Sequence, residues 1–98
     1  LYGVNVEKPN TGAVMVVNQN YPNPFSNETN VMVYLTNPGD IKVEVRNAMG
    51  ALVKTQTHSN LYKGNHELTI SANGLSTGVY TYTLIAGGSS VSKTMMVK

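Results

Sequence analysis

Alternation of apolar and polar residues with a period of two is the feature that most constrains how this chain folds. The clearest case is residues 41–46, where Ile41, Val43 and Val45 are separated by charged side chains. Successive side chains of a β-strand point to opposite faces, so this segment is predicted to be a strand with one buried face. No segment carries an apolar stripe of helical period longer than one turn. The pattern therefore favours an all-β fold.

The same alternation recurs near the end of the sequence, in residues 78–86. Tyr80, Tyr82 and Leu84 fall on one predicted face, with threonines and Ile85 on the other. Gly87-Gly88 then supplies two residues that readily adopt positive φ, as a tight hairpin requires. The chain is predicted to return as a paired strand over residues 91–97.

Five short strands, with the one at residues 41–46 among them, are predicted before this hairpin, between turn-forming residues. They lie at residues 15–17, 30–35, 41–46, 52–58 and 66–70. In the second of these, Val31, Val33 and Leu35 fall on one face, with Met32 and Tyr34 on the other. About seven strands with this spacing predict an antiparallel β-sandwich of immunoglobulin type, with a small barrel as the alternative. Residues 13–98 are interpreted as this domain, and residues 1–12 as a linker or the end of a preceding region.

Composition narrows the classes of function. The 98 residues correspond to about one domain, and 41% hydrophobic residues suffice for a core. The net charge of +2 is spread without a basic stripe, which disfavours nucleic-acid binding. There is no cysteine for a disulfide or a thiolate site, and no apolar run approaches a membrane span. The chain starts with leucine and is interpreted as a piece of a longer protein.

Candidate chemistry is sparse. The carboxylates form no obvious pair, and neither a nucleophile elbow nor a phosphate-binding glycine loop is present, so no catalytic or cofactor-binding residue is predicted. His58 and His66 flank one loop and, if they faced each other across adjacent strands, Glu67 would be the third ligand of a zinc site. Two exposed histidines at strand ends are the favoured interpretation, and no metal site is predicted.

Four motifs together resemble a known family over most of the chain, from about Val16. The first is the run Pro22-Asn23-Pro24, and the second is a strand ending at Asn47 with Gly50 three residues later. The third runs from Leu75 to Gly78 and Tyr80, and the fourth is the C-terminal run Lys93, Thr94, Met95, Met96, Val97 and Lys98. The sequence resembles the type A C-terminal sorting domain of the bacterial type IX secretion system. The family usually has Asp where Asn47 stands and a second Lys where Thr94 stands.

The resemblance implies a secretion tag on a larger cargo protein. Such a tag passes through the periplasm and is recognised by the outer-membrane translocon and its shuttle protein. A sortase-like peptidase usually removes it, and the cargo then stays at the outer-membrane surface or is secreted. By the same resemblance the cleavage site is expected near the N-terminal edge, within residues 1–12.

A physical hypothesis for recognition is that the exposed terminal strand adds to the edge of a partner's sheet. In this hypothesis, Gly78 permits close approach of the partner's backbone, and Tyr80 anchors the contact. Lys93 and Lys98 supply positive charge at its rim. Apolar contact comes from Met95, Met96 and Val97. The alternative, favoured for Gly78 and Tyr80, is packing within the domain's own hairpin. A chain lacking residues 95–98 is expected to fold but to stay in the periplasm.

The competing function is an immunoglobulin-like carbohydrate-binding, spacer or hook-capping-like module. A sugar site would need coplanar exposed aromatic rings, for which Tyr34 and Tyr62 are the candidates. A homodimer formed by strand swapping about the Gly87-Gly88 hinge is a further possibility.

Overall fold

The structure, a computed structural model, describes residues 14–98, which form seven β-strands and no helix. The interpretation of residues 1–12 falls outside this part of the chain. The strands are β1 (Met15–Val17), β2 (Glu28–Leu35), β3 (Gly39–Arg46), β4 (Leu52–Leu61), β5 (Gly64–Ser71), β6 (Gly78–Ala86) and β7 (Ser89–Val97).

Two antiparallel sheets pack face to face. One sheet has the order β1-β2-β5 and the other has the order β4-β3-β6-β7. The chain changes sheet between β2 and β3, again between β4 and β5, and a third time between β5 and β6. The predicted antiparallel β-sandwich is confirmed.

The core is built from the alternating positions that the sequence indicated. Ile41, Val43 and Val45 are fully buried, as are Tyr82 and Leu84 of the neighbouring strand β6. The predicted inward face of β5 is buried as well, as is the face of β2 that carries Val31, Val33 and Leu35. Leu75 packs against the same core from its loop. Burial of one such side chain contributes about 1.5–3 kcal/mol, which makes this face the main stabilising feature.

Tyr34 is an exception to simple alternation of burial along β2. It alternates with the inward residues of β2, yet it is buried. Strand β2 lies between β1 and β5, so Tyr34 has Val16 on one side and Asn65 on the other.

Strand β4 closes one side of the sandwich with polar side chains. Gln56, opposite the buried Val43, donates from Nε2 to the carbonyl oxygen of Thr69 in β5 at 2.9 Å. The outer edges of the two sheets are thereby joined by a side-chain hydrogen bond. The first residues of β4, Leu52 and Val53, are exposed.

A buried polar network fixes the segment between β1 and β2 to the core. The backbone N–H of Asn20 donates to the hydroxyl of Tyr82 at 3.0 Å. The Asn20 amide donates to Thr29 Oγ1 at 3.0 Å, and Thr29 Oγ1 donates to the Pro22 carbonyl at 2.7 Å. Asn20, Thr29 and Tyr82 are almost completely buried, so each polar group needs these partners.

Replacement of Tyr82 tests this network. Tyr82→Phe leaves the buried N–H of Asn20 without its acceptor, so the free energy of unfolding should fall by about 1–3 kcal/mol. Tyr62→Phe is the matched control, because Tyr62 is exposed. Urea denaturation of both variants measures the difference, and equal stabilities would contradict a structural role for the network.

Candidate functional site

The four motifs that carry the family resemblance meet at one end of the sandwich. Gly78, at the start of β6, is paired with Val97, at the end of β7, and Val97 forms a parallel bridge with Phe25. On the other side of Gly78, the 47–50 turn lines a groove together with residues 76–80. We call this region, comprising residues 22–25, 47–50, 76–80 and 95–98, the motif end.

The proline motif runs alongside the last strand. The N–H of Phe25 donates to the Met96 carbonyl at 3.0 Å, and the N–H of Lys98 donates to the Phe25 carbonyl at 2.9 Å. Asn23 Oδ1 accepts from the N–H of Met96 at 2.9 Å. The bonds preceding Pro22 and Pro24 are both cis, and Phe25 is buried in the core. The motif therefore covers the outer edge of β7 in addition to turning the chain.

Asn47 organises the turn between β3 and β4. Its Oδ1 accepts from the N–H groups of Met49 and Ala51, both at 3.0 Å. Gly50 has a φ of 86°, a left-handed conformation that favours glycine. Asn47 thus caps the turn through its side chain, and an aspartate carboxylate offers the same acceptor.

Gly78 and Tyr80 differ in what they contribute to the domain's own packing. Tyr80 is buried, and its hydroxyl donates to the Ser76 carbonyl at 2.7 Å, which ties the preceding loop to β6. A Cβ atom added at Gly78 would have no atom of the described chain within 4 Å, apart from its own residue and the two chain neighbours. Close backbone approach at Gly78 is therefore not needed for packing among residues 14–98.

The C-terminal motif is divided between core and surface. Met95 and Val97 are only 1% and 2% exposed, whereas Met96 is 43% exposed. Of the three residues expected to make apolar contact with a partner, only Met96 therefore has an exposed side chain. Lys98 is exposed, and Lys93 shares the inward face of β7 with intermediate exposure.

This burial conflicts with the expectation that a chain lacking residues 95–98 still folds. The deletion would remove Met95 and Val97 from the core, together with the hydrogen bonds between Phe25 and the end of β7. Loss of a buried Met alone typically lowers stability by about 2–5 kcal/mol.

Three exposed apolar side chains follow one another across the motif end. Met49 is 92% exposed and lines the same groove as Val79, which is 43% exposed. Val79 is in turn paired with Met96 across β6 and β7, on the outer face of the sheet. We call Met49, Val79 and Met96 the apolar strip. Methionine side chains are flexible and polarisable, so this strip can adapt to a partner surface.

Two constellations that the sequence left as alternatives, a histidine metal site and an aromatic sugar platform, are not assembled among residues 14–98. His58 and His66 lie in different sheets, so they do not face each other across paired strands. His58 Nε2 lies within hydrogen-bonding distance of Gln56 Nε2. The centroid of the His66 ring lies 4.3 Å from the centroid of the Tyr62 ring. Within residues 14–98, no three His, Cys, Asp or Glu residues are grouped to hold a metal ion. Because Tyr34 is buried, it cannot form an exposed sugar platform with Tyr62.

Comparison with known families decides the assignment. A model of the secretion system C-terminal sorting domain family matches residues 19–98. The chain belongs to this family of sorting domains. The match begins beside the Asn20 network and spans all four motifs, so the resemblance to type IX sorting signals is confirmed. No curated protein matches the chain. In the described part of this sorting domain, no helix has the length and apolarity needed to span a membrane.

Two adjacent methionines of the sorting domain test the division between core and surface. Met95→Ala should lower the free energy of unfolding by about 2–5 kcal/mol, since it leaves a cavity. Met96→Ala, the matched control, should cost less than about 1 kcal/mol, because its side chain is half exposed. Thermal or urea denaturation distinguishes them, and a larger loss for Met96→Ala would contradict the burial.

Proposed function

We propose that this domain directs a larger cargo protein across the outer membrane through the type IX system, and that the machinery recognises the motif end. The observation that carries the proposal is the convergence of all four family motifs at one end, where the apolar strip lies exposed. Family membership supports the role as a sorting signal. The outer-membrane translocon and its shuttle protein are the proposed partners.

The apolar strip has a positively charged border. Arg46 is paired with Thr81 on β6, two residues from Val79 and on the same face. Lys98, exposed, follows the strip at the end of β7. Glu44 Oε1 lies 3.4 Å from Arg46 Nη2, and Glu44 Oε2 lies 3.4 Å from Lys42 Nζ. Because one carboxylate is shared by two basic side chains, this stretch of β3 keeps a net positive charge. A partner with an apolar patch bordered by acidic groups is therefore complementary to this end.

Recognition at this end proceeds through side chains rather than strand addition. The outer backbone groups of Met96 and Lys98 are already bonded to Asn23 and Phe25. A partner strand cannot use them while these bonds persist. The recognition role of Lys93, Met95 and Val97 becomes indirect in this proposal: Met95 and Val97 hold β7 in the core, and Met96 and Lys98 present the contact surface.

The later steps follow the family's expected route. The folded domain crosses the periplasm with its cargo and reaches the cell surface, where a sortase-like peptidase separates it. The cargo then remains at the outer-membrane surface or is released. The expected cleavage region, residues 1–12, precedes the part of the domain that is tied to the core at Asn20.

Export of a reporter tests both parts of the proposal. A reporter with an N-terminal signal peptide and this chain at its C-terminus should reach the surface of a bacterium with a type IX system. The triple substitution Met49→Ser, Val79→Thr and Met96→Ser should leave the reporter in the periplasm, because it removes the apolar strip from a folded domain.

The control variant is Tyr62→Ser, which removes an exposed apolar side chain beyond the far end of the ten-residue strand β4. It should be exported normally, and circular dichroism verifies the fold of each variant. Absence of export for the unmodified tag would refute the sorting function. Normal export of the triple variant would refute only the recognition surface.

A further inference from the structure

Strand β7 lies at the edge of its sheet, where unpaired backbone groups normally invite another strand. In residues 14–98, however, a second segment covers much of this edge. Gln19 Nε2 donates to the Thr94 carbonyl at 2.7 Å. The N–H of Met96 donates to Asn23 Oδ1. The carbonyl of Met96 accepts from the N–H of Phe25, and the N–H of Lys98 donates to the Phe25 carbonyl. Residues 19–25 thus occupy the place of a neighbouring strand, and we call them the edge cap.

Two of the cap's contacts come from side-chain amides in place of backbone. Gln19 supplies an N–H donor and Asn23 an oxygen acceptor, which are the two kinds of group that a paired strand would offer. Proline at positions 22 and 24 has no N–H, so the cap itself presents few donors to a further strand. The cap therefore ends the sheet rather than extending it.

The edge cap is held firmly by the core. Phe25 is buried at one end of the cap, and Asn20 is buried near the other. Asn20 is bonded to the hydroxyl of Tyr82 and to Thr29, and Gln19 Nε2 also contacts Asn20 Oδ1 at 2.6 Å. The cap is thus an integral part of the domain, and its anchoring does not depend on any partner.

Within residues 14–98, the part of the β7 edge that the cap leaves open comprises Ser90, Ser92 and the N–H of Thr94. In an antiparallel pair, alternate residues direct their backbone groups toward the same neighbour. Since the backbone groups of Met96 and Lys98 point away from β6, those of Ser92 and Ser90 do so as well. Within residues 14–98 these two serines have no backbone partner on the outer side. Two outward-facing residues are too few for stable strand pairing, which in practice needs several.

We propose that the edge cap keeps this sorting domain monomeric by blocking antiparallel pairing of β7 with β7 of a second copy. Without the cap, the outward backbone groups from Ser90 to Lys98 form one continuous edge. In a twofold register centred on Thr94, Lys98 lies opposite Ser90, and Lys93 lies opposite Met95. No like charges meet in this register, so a second copy is an occupant that the uncapped edge accepts. This inference does not rest on the proposed function.

The double variant Gln19→Ala, Asn23→Ala tests the proposal, with the 98-residue chain used throughout. It removes both side-chain contacts with β7 and leaves only the two backbone bonds of Phe25, which a second copy displaces when it pairs with Met96 and Lys98. Sedimentation equilibrium should show a monomer for the wild type and a dimer for the variant, with a dissociation constant lowered about tenfold or more. Asn23→Asp alone is the matched control, because it retains the acceptor oxygen and should stay monomeric.

A third substitution locates the contact. Ser92→Pro added to the double variant removes an outward N–H without breaking the β6–β7 ladder, so it should restore the monomer. Amide hydrogen exchange provides an independent measurement, in which Met96 N–H should exchange faster in a monomeric double variant diluted below its dissociation constant.

Three results would overturn the proposal. They are a wild type that already dimerises through β7, a double variant that stays monomeric although its Met96 amide exchanges fast, and a dimer that Ser92→Pro does not disrupt. If the double variant fails to fold, Asn23→Ala alone is measured against Asn23→Asp, and equal dissociation constants for these two would equally overturn it.

Discussion

The attachment of Phe25 to the end of β7 is the interaction on which the rest of the structure depends. It joins the beginning of the domain to its last residues through two backbone hydrogen bonds and a buried aromatic ring. Because the partners are far apart in sequence, this contact closes the sandwich and fixes the end where the family motifs meet. It also satisfies an edge that would otherwise be open to other chains.

The motifs of this sorting domain combine structural and recognition roles in neighbouring residues. Tyr80 is buried and ties a loop to β6, while Val79 beside it is exposed. Met95 supports the core, while Met96 beside it lies on the surface. The strand period of two lets one short motif stabilise the fold and present a surface at the same place. A partner that contacts the surface residues thereby depends on a folded domain.

The sequence was sufficient to predict the fold class and the inward faces of β3 and β6, because their alternation is local and regular. It predicted that β7 is a strand but not which of its residues are buried, because Met95, Met96 and Val97 form an unbroken apolar run without period two. The bond between Asn23 and Met96 joins residues 73 apart and has no local signature. The alternative in which His58 and His66 face each other is not realised, because the chain changes sheet between β4 and β5. Long-range pairing, not propensity, decided each of these cases.

Site-specific photo-crosslinking during export tests the central claim most directly, namely that the secretion machinery contacts the motif end of a folded domain. A photoreactive residue would replace Met49 or Met96 in the apolar strip, and Tyr62 at the opposite end would serve as the reference position. Crosslinks to an outer-membrane secretion component from Met49 and Met96, but not from Tyr62, are the predicted result. Crosslinks from Tyr62 alone would contradict the account.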